Sequence, residues 1–274
     1  MPLCLMYITN NPQIALIAEQ NGVDRIWIDL ETIGKGERQK GLNSVKSNHS
    51  ISDIATIKPL LSSSEMLVRV NPWNENSENE INSVIAAGAD IIMLPMWKTA
   101  SEVESFLSVV NYRAKTTLLL ETKEALECVE EVLRLDFDEI HIGLNDLHLA
   151  YGMTFMFELL ANGTVETLCN KFKAKRIPYG FGGIAKIGDG LLPAEKIILE
   201  HYRLGSTRAI LSRTFCDTAL IQDIEEITSV FESNMRKLRE FEEFALMQDE
   251  ETLFRNKAKV LLGVNAVVEK MRKA

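Results

Sequence analysis

Eight short apolar stretches recur along this chain, separated by segments with the apolar spacing of helices, and that alternation constrains the fold more than any other feature. The stretches are LCLMYI (3–8), DRIWIDL (24–30), MLVRV (66–70), DIIMLP (90–95), TTLLLE (116–121), DEIHIG (138–143), IPYGFG (177–182) and TRAILSR (207–213). Their near-continuous apolar character suits strands buried on both faces of a parallel sheet. Between them, Ser77 and Glu80 have the spacing of a helix capping box, and Thr99 and Glu102 repeat it ahead of Val103, Phe106, Leu107 and Val110. Ala125, Leu126, Val129, Val132 and Leu133 form a further helical stripe, and Pro193 reads as the first turn of a helix running to about Arg203.

Eight β-then-α units predict an α/β fold, a closed (β/α)8 TIM barrel, over residues 1–217. The competitor is an open doubly wound sheet. It would normally carry a glycine-rich phosphate turn after the first strand, and ITNNPQ has no such glycines. Residues 218–274 read as two further helices, 218–245 and 250–272. A barrel needs only one closing helix, so the second either covers a partner subunit in a domain-swapped arrangement or folds back on its own barrel.

The net charge of −9 argues against a nucleic-acid surface, which needs clustered Lys and Arg. No segment approaches the roughly 20 apolar residues that span a bilayer, so no membrane partner is expected. The first residues lack a basic segment followed by an apolar one, so no secretory signal is expected. Four widely spaced cysteines with no CxxC pair suit reduced thiols and a cytoplasmic location.

Catalytic residues of such a barrel sit where strands end. The second strand ends at Asp29 and Glu31, the third carries Arg69, the fifth ends at Glu121, the sixth leads into Asn145 and Asp146, and the eighth ends at Ser212 and Arg213. Glu121 and Asp146 end adjacent strands, which lie about 5 Å apart. At that separation two carboxylates repel unless a cation or a proton lies between them. One reading makes them ligands of Mg2+ or Mn2+, with open positions for water and a 2-oxo acid; the other makes Glu121 a helix cap and Asp146 a turn anchor. Arg69, a charge inside an apolar strand, needs an anion. That anion is a substrate carboxylate or enolate, or Asp29 or Glu31, and the two readings are compatible. His148 follows Asp146 by two positions, within reach of the site or capping a turn; His49 at the far end of the 31–50 loop, or a water held by Asp29, serves equally as the base, and His141, inside a strand, reads more as a core or interface residue. Lys35, Arg38 and Lys40, beyond Glu31, are contacts for an anionic half of the substrate or a solvated loop. The glycines of GFGGIAKIGDG (180–190) match no strict phosphate motif and serve equally to allow a sharp loop.

VDRIWIDLE, LVRVNP, AAGADIIMLPM, LLLET and HIGLNDL, in that order, resemble the HpcH/HpaI aldolase and citrate lyase family over roughly residues 3–215. That family belongs to the phosphoenolpyruvate/pyruvate-binding barrels. The resemblance implies metal-dependent making or breaking of a C–C bond next to a pyruvate-like enolate. It places the metal carboxylates on Glu121 and Asp146, the substrate arginine on Arg69 and the acidic pair on Asp29 and Glu31. It also implies a homo-oligomer built from dimers that exchange a final helix.

Two positions depart from the pyruvate–aldehyde branch. The histidine after its Asp-x-Glu is Thr32 here, and the glutamine two residues before its metal glutamate is Leu119. Threonine is no general base near pH 7. The expected function is a divalent-metal-dependent carbon–carbon lyase of aldolase type, joining or splitting a 2-oxo acid and an acidic or sugar-derived aldehyde. Catalysis is assigned to Arg69, Asp29, Glu31 and His148, and substrate binding to Arg69, Asn145, Arg38 and Ser212. The alternatives are a citrate-lyase-like or oxaloacetate-decarboxylating enzyme, or a non-catalytic keto-acid-binding barrel.

Overall fold

The computed structural model describes residues 1–34, 48–218, 220–221 and 223–273. The eight predicted strands are present as β1 (Cys4–Ile8), β2 (Arg25–Asp29), β3 (Glu65–Arg69), β4 (Ile91–Leu94), β5 (Lys115–Leu120), β6 (Glu139–Ile142), β7 (Tyr179–Ile184) and β8 (Arg208–Leu211). All neighbours pair in parallel and β8 returns to β1, closing the barrel. Register slips only between β7 and β8, at Gly180–Gly183.

The helices are α1 (Pro12–Gln20), α2 (Ile51–Ile57), α3 (Ser77–Ala87), α4 (Ala100–Val110), α5 (Lys123–Glu127), α6 (Val129–Val132), α7 (Leu144–Ala150), α8 (Glu158–Ala161), α9 (Thr164–Lys175), α10 (Ala194–Leu204), α11 (Ile224–Leu246) and α12 (Glu250–Lys273). The capping box expected at Thr99 forms: Thr99 Oγ1 accepts the Glu102 N–H at 3.2 Å, and Glu102 Oε2 accepts the Thr99 N–H at 3.3 Å. The one expected at Ser77 does not. Ser77 already lies inside α3 and its Oγ accepts the Asn74 N–H at 2.8 Å. Glu80 turns instead to Asn71. The stripe from Ala125 to Leu133 is likewise two short helices, broken at Cys128.

Strand side chains alternate between two cores. The outer core fills the layer between strands and helices. The inner one is a plug of Met6, Trp27, Leu67, Ile91, Met93 and Leu119. Each fully buried aliphatic or Phe side chain contributes about 1.5–3 kcal/mol of transfer free energy. α12 folds back onto its own chain, against α8 and α10. There Asn256 Nδ2 donates to Lys196 O and Glu200 Oε1, both at 2.9 Å, and Lys257 pairs with Glu166. No helix among the described residues is long and apolar enough to cross a membrane.

Candidate active site

Strand pairing itself builds the first ion pair at the C-terminal mouth. β2 and β3 align with Asp29 opposite Arg69. Arg69 Nε donates to Asp29 Oδ1 at 2.8 Å and Nη2 to Asp29 Oδ2 at 2.9 Å, while Nη2 lies 3.3 Å from Glu31 Oε2. The guanidinium sits over the buried Trp27 ring, 5.2 Å from its centroid, a cation–π contact on an apolar floor. Burial opposes the arginine charge, but Asp29, Glu31 and Glu121 outweigh it and keep Arg69 charged well beyond its ordinary range. Both readings of Arg69 thus remain compatible: it is ion-paired within the chain and stands at the mouth.

Glu121 follows directly on β5 and is buried. Its Oε1 accepts the Met96 N–H at 3.1 Å. Met96 has φ of 54°, a left-handed conformation that costs a residue with a Cβ about 1–3 kcal/mol; nothing in the sequence marked it. On the other side, a Cβ at Gly143 would lie 2.7 Å from both Cβ and Oε2 of Glu121. Only glycine lets the turn into α7 come so close. That turn carries Asp146, half-buried in the first turn of α7.

Burial first, then the charges of Asp146 and Glu31, push the Glu121 carboxyl well above its ordinary value; Arg69 and the Met96 N–H pull against this and lose. A proton or a cation relieves two carboxylates so placed. Hard oxygen donors of this kind suit Mg2+ or Mn2+, so the residues fit the cation that the sequence implies. No group of three or more His, Cys, Asp and Glu side chains among the described residues is arranged to hold a metal. Protein ligation through Glu121 and Asp146 would therefore leave the other positions to water and substrate.

The remaining site candidates scatter. His148 is buried in α7 with Nδ1 against Leu144 O at 3.1 Å, a bond that the carbonyl can only accept. Asn145 is exposed in the first turn of the same helix. Ser212 stands at the end of β8, its Oγ bonded to Thr214 Oγ1 at 2.9 Å. Arg38, with Lys35 and Lys40, lies outside the described residues. His49 Nδ1 accepts the Asp29 N–H at 3.0 Å, so it caps the end of β2. His141 is buried within β6, its Nε2 on Gly182 O at 3.2 Å. Leu119 belongs to the inner plug. Thr32 is exposed, and both its N–H and its Oγ1 go to Asn71 Oδ1. Asn71, two positions after Arg69, gathers this turn, a contact that sequence reasoning did not anticipate.

Comparison with solved structures finds RipC from Yersinia pestis, a crystal structure, with a TM-score of 0.55 at 16% identity, covering 84% of this chain and 94% of that one. At that identity the likeness speaks for the fold alone. Comparison with curated proteins gave no match. The family model described as HpcH/HpaI aldolase/citrate lyase matches residues 3–157. That span is more than half of the chain and runs from β1 through the whole Asp29–Glu31–Arg69–Glu121–Asp146 constellation, and the chain belongs to the HpcH/HpaI aldolase/citrate lyase family.

Proposed function

We propose that the chain is a divalent-metal-dependent carbon–carbon lyase that acts on a 2-oxo acid through a pyruvate-like enolate. The observation that carries this is Glu121, whose carboxyl is pushed well above its ordinary value, first by burial and then by the charge of Asp146, with Arg69 pulling against them. A cation held by Glu121 and Asp146 would supply a Lewis acid for the carboxylate and keto oxygens of the substrate. Arg69 has Nε and Nη2 committed to Asp29 and Glu31. Its Nη1 donors have no partner among the described residues, and they face the developing negative charge of an enolate. Asp29 and Glu31 keep the guanidinium fixed and orient water at the mouth. An acidic or sugar-derived aldehyde is the second substrate of this reading.

Thr32 is tied to Asn71 rather than poised as a base. That favours one second reading, decarboxylation of an oxaloacetate-like acid, in which a C–C bond breaks without deprotonation of an alcohol. A product assay separates the two. The shared step is tested by following solvent deuterium into the methyl group of pyruvate with Mg2+ or Mn2+. Exchange that needs the metal and vanishes in Glu121→Ala is the expected result; no exchange with any divalent cation overturns the proposal.

A further inference from the structure

We infer that Asn71, itself held by Glu80, is a positioning residue that sets the acidic turn Leu30–Ile33 against Arg69. This deepens the lyase reading above and rests on it for its kinetic part.

Asn71 leaves β3 two residues after Arg69, so one stiff strand delivers both the arginine and the side chain that holds its partners. Its Oδ1 accepts three bonds from the turn: the Thr32 N–H at 2.9 Å, the Thr32 hydroxyl at 3.2 Å and the Ile33 N–H at 3.0 Å. Its Nδ2 donates to Leu30 O at 3.3 Å and to Glu80 Oε1 at 2.8 Å. Its backbone N–H donates to Glu80 Oε2 at 3.1 Å. Residues 30, 32 and 33 are therefore all tied to one amide, and Glu31 is the residue between those ties. From there Glu31 reaches Arg69, and its own N–H bonds Asp29 Oδ1 at 3.2 Å.

The chemistry of the two partners makes the arrangement specific. A primary amide is both donor and acceptor, whereas an ionised carboxylate only accepts. Glu80 offers two acceptors, so the Asn71 NH2 must face it and the Asn71 oxygen must face the turn. Glu80 thus decides which way the amide points. It can do so because it does not cap α3, where its spacing from Ser77 would have put it. Ordinary turn capping needs one or two bonds and no orienting carboxylate; this side chain makes five, four of them around the residue whose acid faces Arg69 and the fifth to Glu80.

The test exchanges the two chemistries. Asn71→Asp turns the amide into a second carboxylate facing Glu80. Glu80→Gln turns the anchor into a group that presents hydrogens to hydrogens. The double variant restores one amide facing one carboxylate, with the acceptor still toward the turn. Hydrogen exchange at the Thr32 and Ile33 amides reads the clamp directly and needs no activity. It should rise at least about tenfold in each single variant, and the double variant should recover most of the protection. Methyl exchange of pyruvate should fall in kcat by up to about 100-fold in Asn71→Asp, the cost of misplacing a catalytic group by about 1 Å. Glu80→Gln should fall less, with divalent-ion affinity unchanged in both, and the double variant should return to within about threefold of wild type.

Unchanged Thr32 and Ile33 amide exchange in Asn71→Asp and Glu80→Gln overturns the inference. So does a double variant as defective as Asn71→Asp, or a drop in melting temperature with kcat intact. Wild-type protein without any metal-dependent methyl exchange sinks the lyase reading instead, and the amide exchange still decides the clamp.

Discussion

Glu139 and Glu121 are both buried glutamates inside the same barrel, one at each mouth, and their surroundings treat them in opposite ways. At the N-terminal mouth Glu139 is gripped by Arg25 through both oxygens, by Arg208 Nε at 2.6 Å and by Thr117 Oγ1 at 2.7 Å. Burial alone would raise its carboxyl, but Arg25 and Arg208 outweigh that and hold it below the ordinary range. At the C-terminal mouth Glu121 meets Asp146 and Glu31, with Arg69 already engaged by acids, and its carboxyl goes up. The lower cluster satisfies its charges within the chain and reads as architecture. The upper cluster instead sets Glu121 against two further acids, and a carboxyl perturbed in this way marks a candidate site.

The largest expected effect lies at the lower mouth. Glu139→Ala leaves buried Arg25 with only Glu65 and takes from half-buried Arg208 the carboxylate it bonds, a loss of about 3–5 kcal/mol. Urea unfolding measures it. A cost below about 1 kcal/mol would mean that the lower cluster is not structural and would erase the contrast.

At the upper mouth the sign reverses. A raised carboxyl costs stability as pH climbs from the ordinary carboxylate value through the raised one, because only the unfolded chain ionises freely. Glu121→Gln has nothing to ionise, so in the absence of divalent cations it should be more stable than wild type at pH 7. Adding Mg2+ or Mn2+ should then stabilise wild type alone, by about 2.7 kcal/mol at one hundred times the Kd. Equal stabilisation of both proteins would remove Glu121 from the proposed cation site.

What sequence could show tracks what is local. The strands were readable because parallel strands buried on both faces are nearly all apolar, and Arg69 stood out as a charge within one of them. Glu121 stood out because it directly follows a strand, and Asp146 because it lies in the segment that leaves the next one. The lower cluster was not: Arg25, Glu139 and Arg208 begin their strands, and nothing local says that three separate strand starts converge. Glu80 was misread for a related reason. Its spacing from Ser77 fits a cap, yet the nearer competitors for its carboxylate, the Asn71 N–H and NH2, come from another strand end. The left-handed Met96 and the return of α12 onto α8 and α10 are also tertiary choices without a local signal.

His141 lies on β6 between the two mouths, two residues above Glu139 and two below Gly143. Burial pushes it down to about 4, and His201, buried under Phe181 with ring centroids 3.9 Å apart, down to about 3. Both folded values are depressed, so their contribution to stability is complete above the unfolded value of about 6.5. It is lost as pH falls below that, because the unfolded chain takes up protons first. Two such groups give a slope of about 2.7 kcal/mol per pH unit between about pH 6 and 4. His141→Gln retains a donor for Gly182 O and should cut that slope by about half. An unchanged slope would mean that His141 is charged in the fold, and the barrel interior would then be polar from mouth to mouth.

The smallest effect asks where the lower cluster stops. Glu65 joins it through Arg25 Nε at 3.2 Å and also pairs with Lys115, whose side chain is 55% exposed. Water screens that outer pair and leaves the inner one dry. Lys115→Ala should therefore cost under about 1 kcal/mol, and raising salt from low ionic strength to 1 M, where the Debye length is about 3 Å, should shrink the cost further. Glu139→Ala should respond little to salt, since its partners are inside. If Lys115→Ala instead approaches the cost of Glu139→Ala, the ion pairs act as one cooperative unit reaching the surface. The lower mouth would then owe its balance to a solvent-exposed lysine as well as to Arg25 and Arg208.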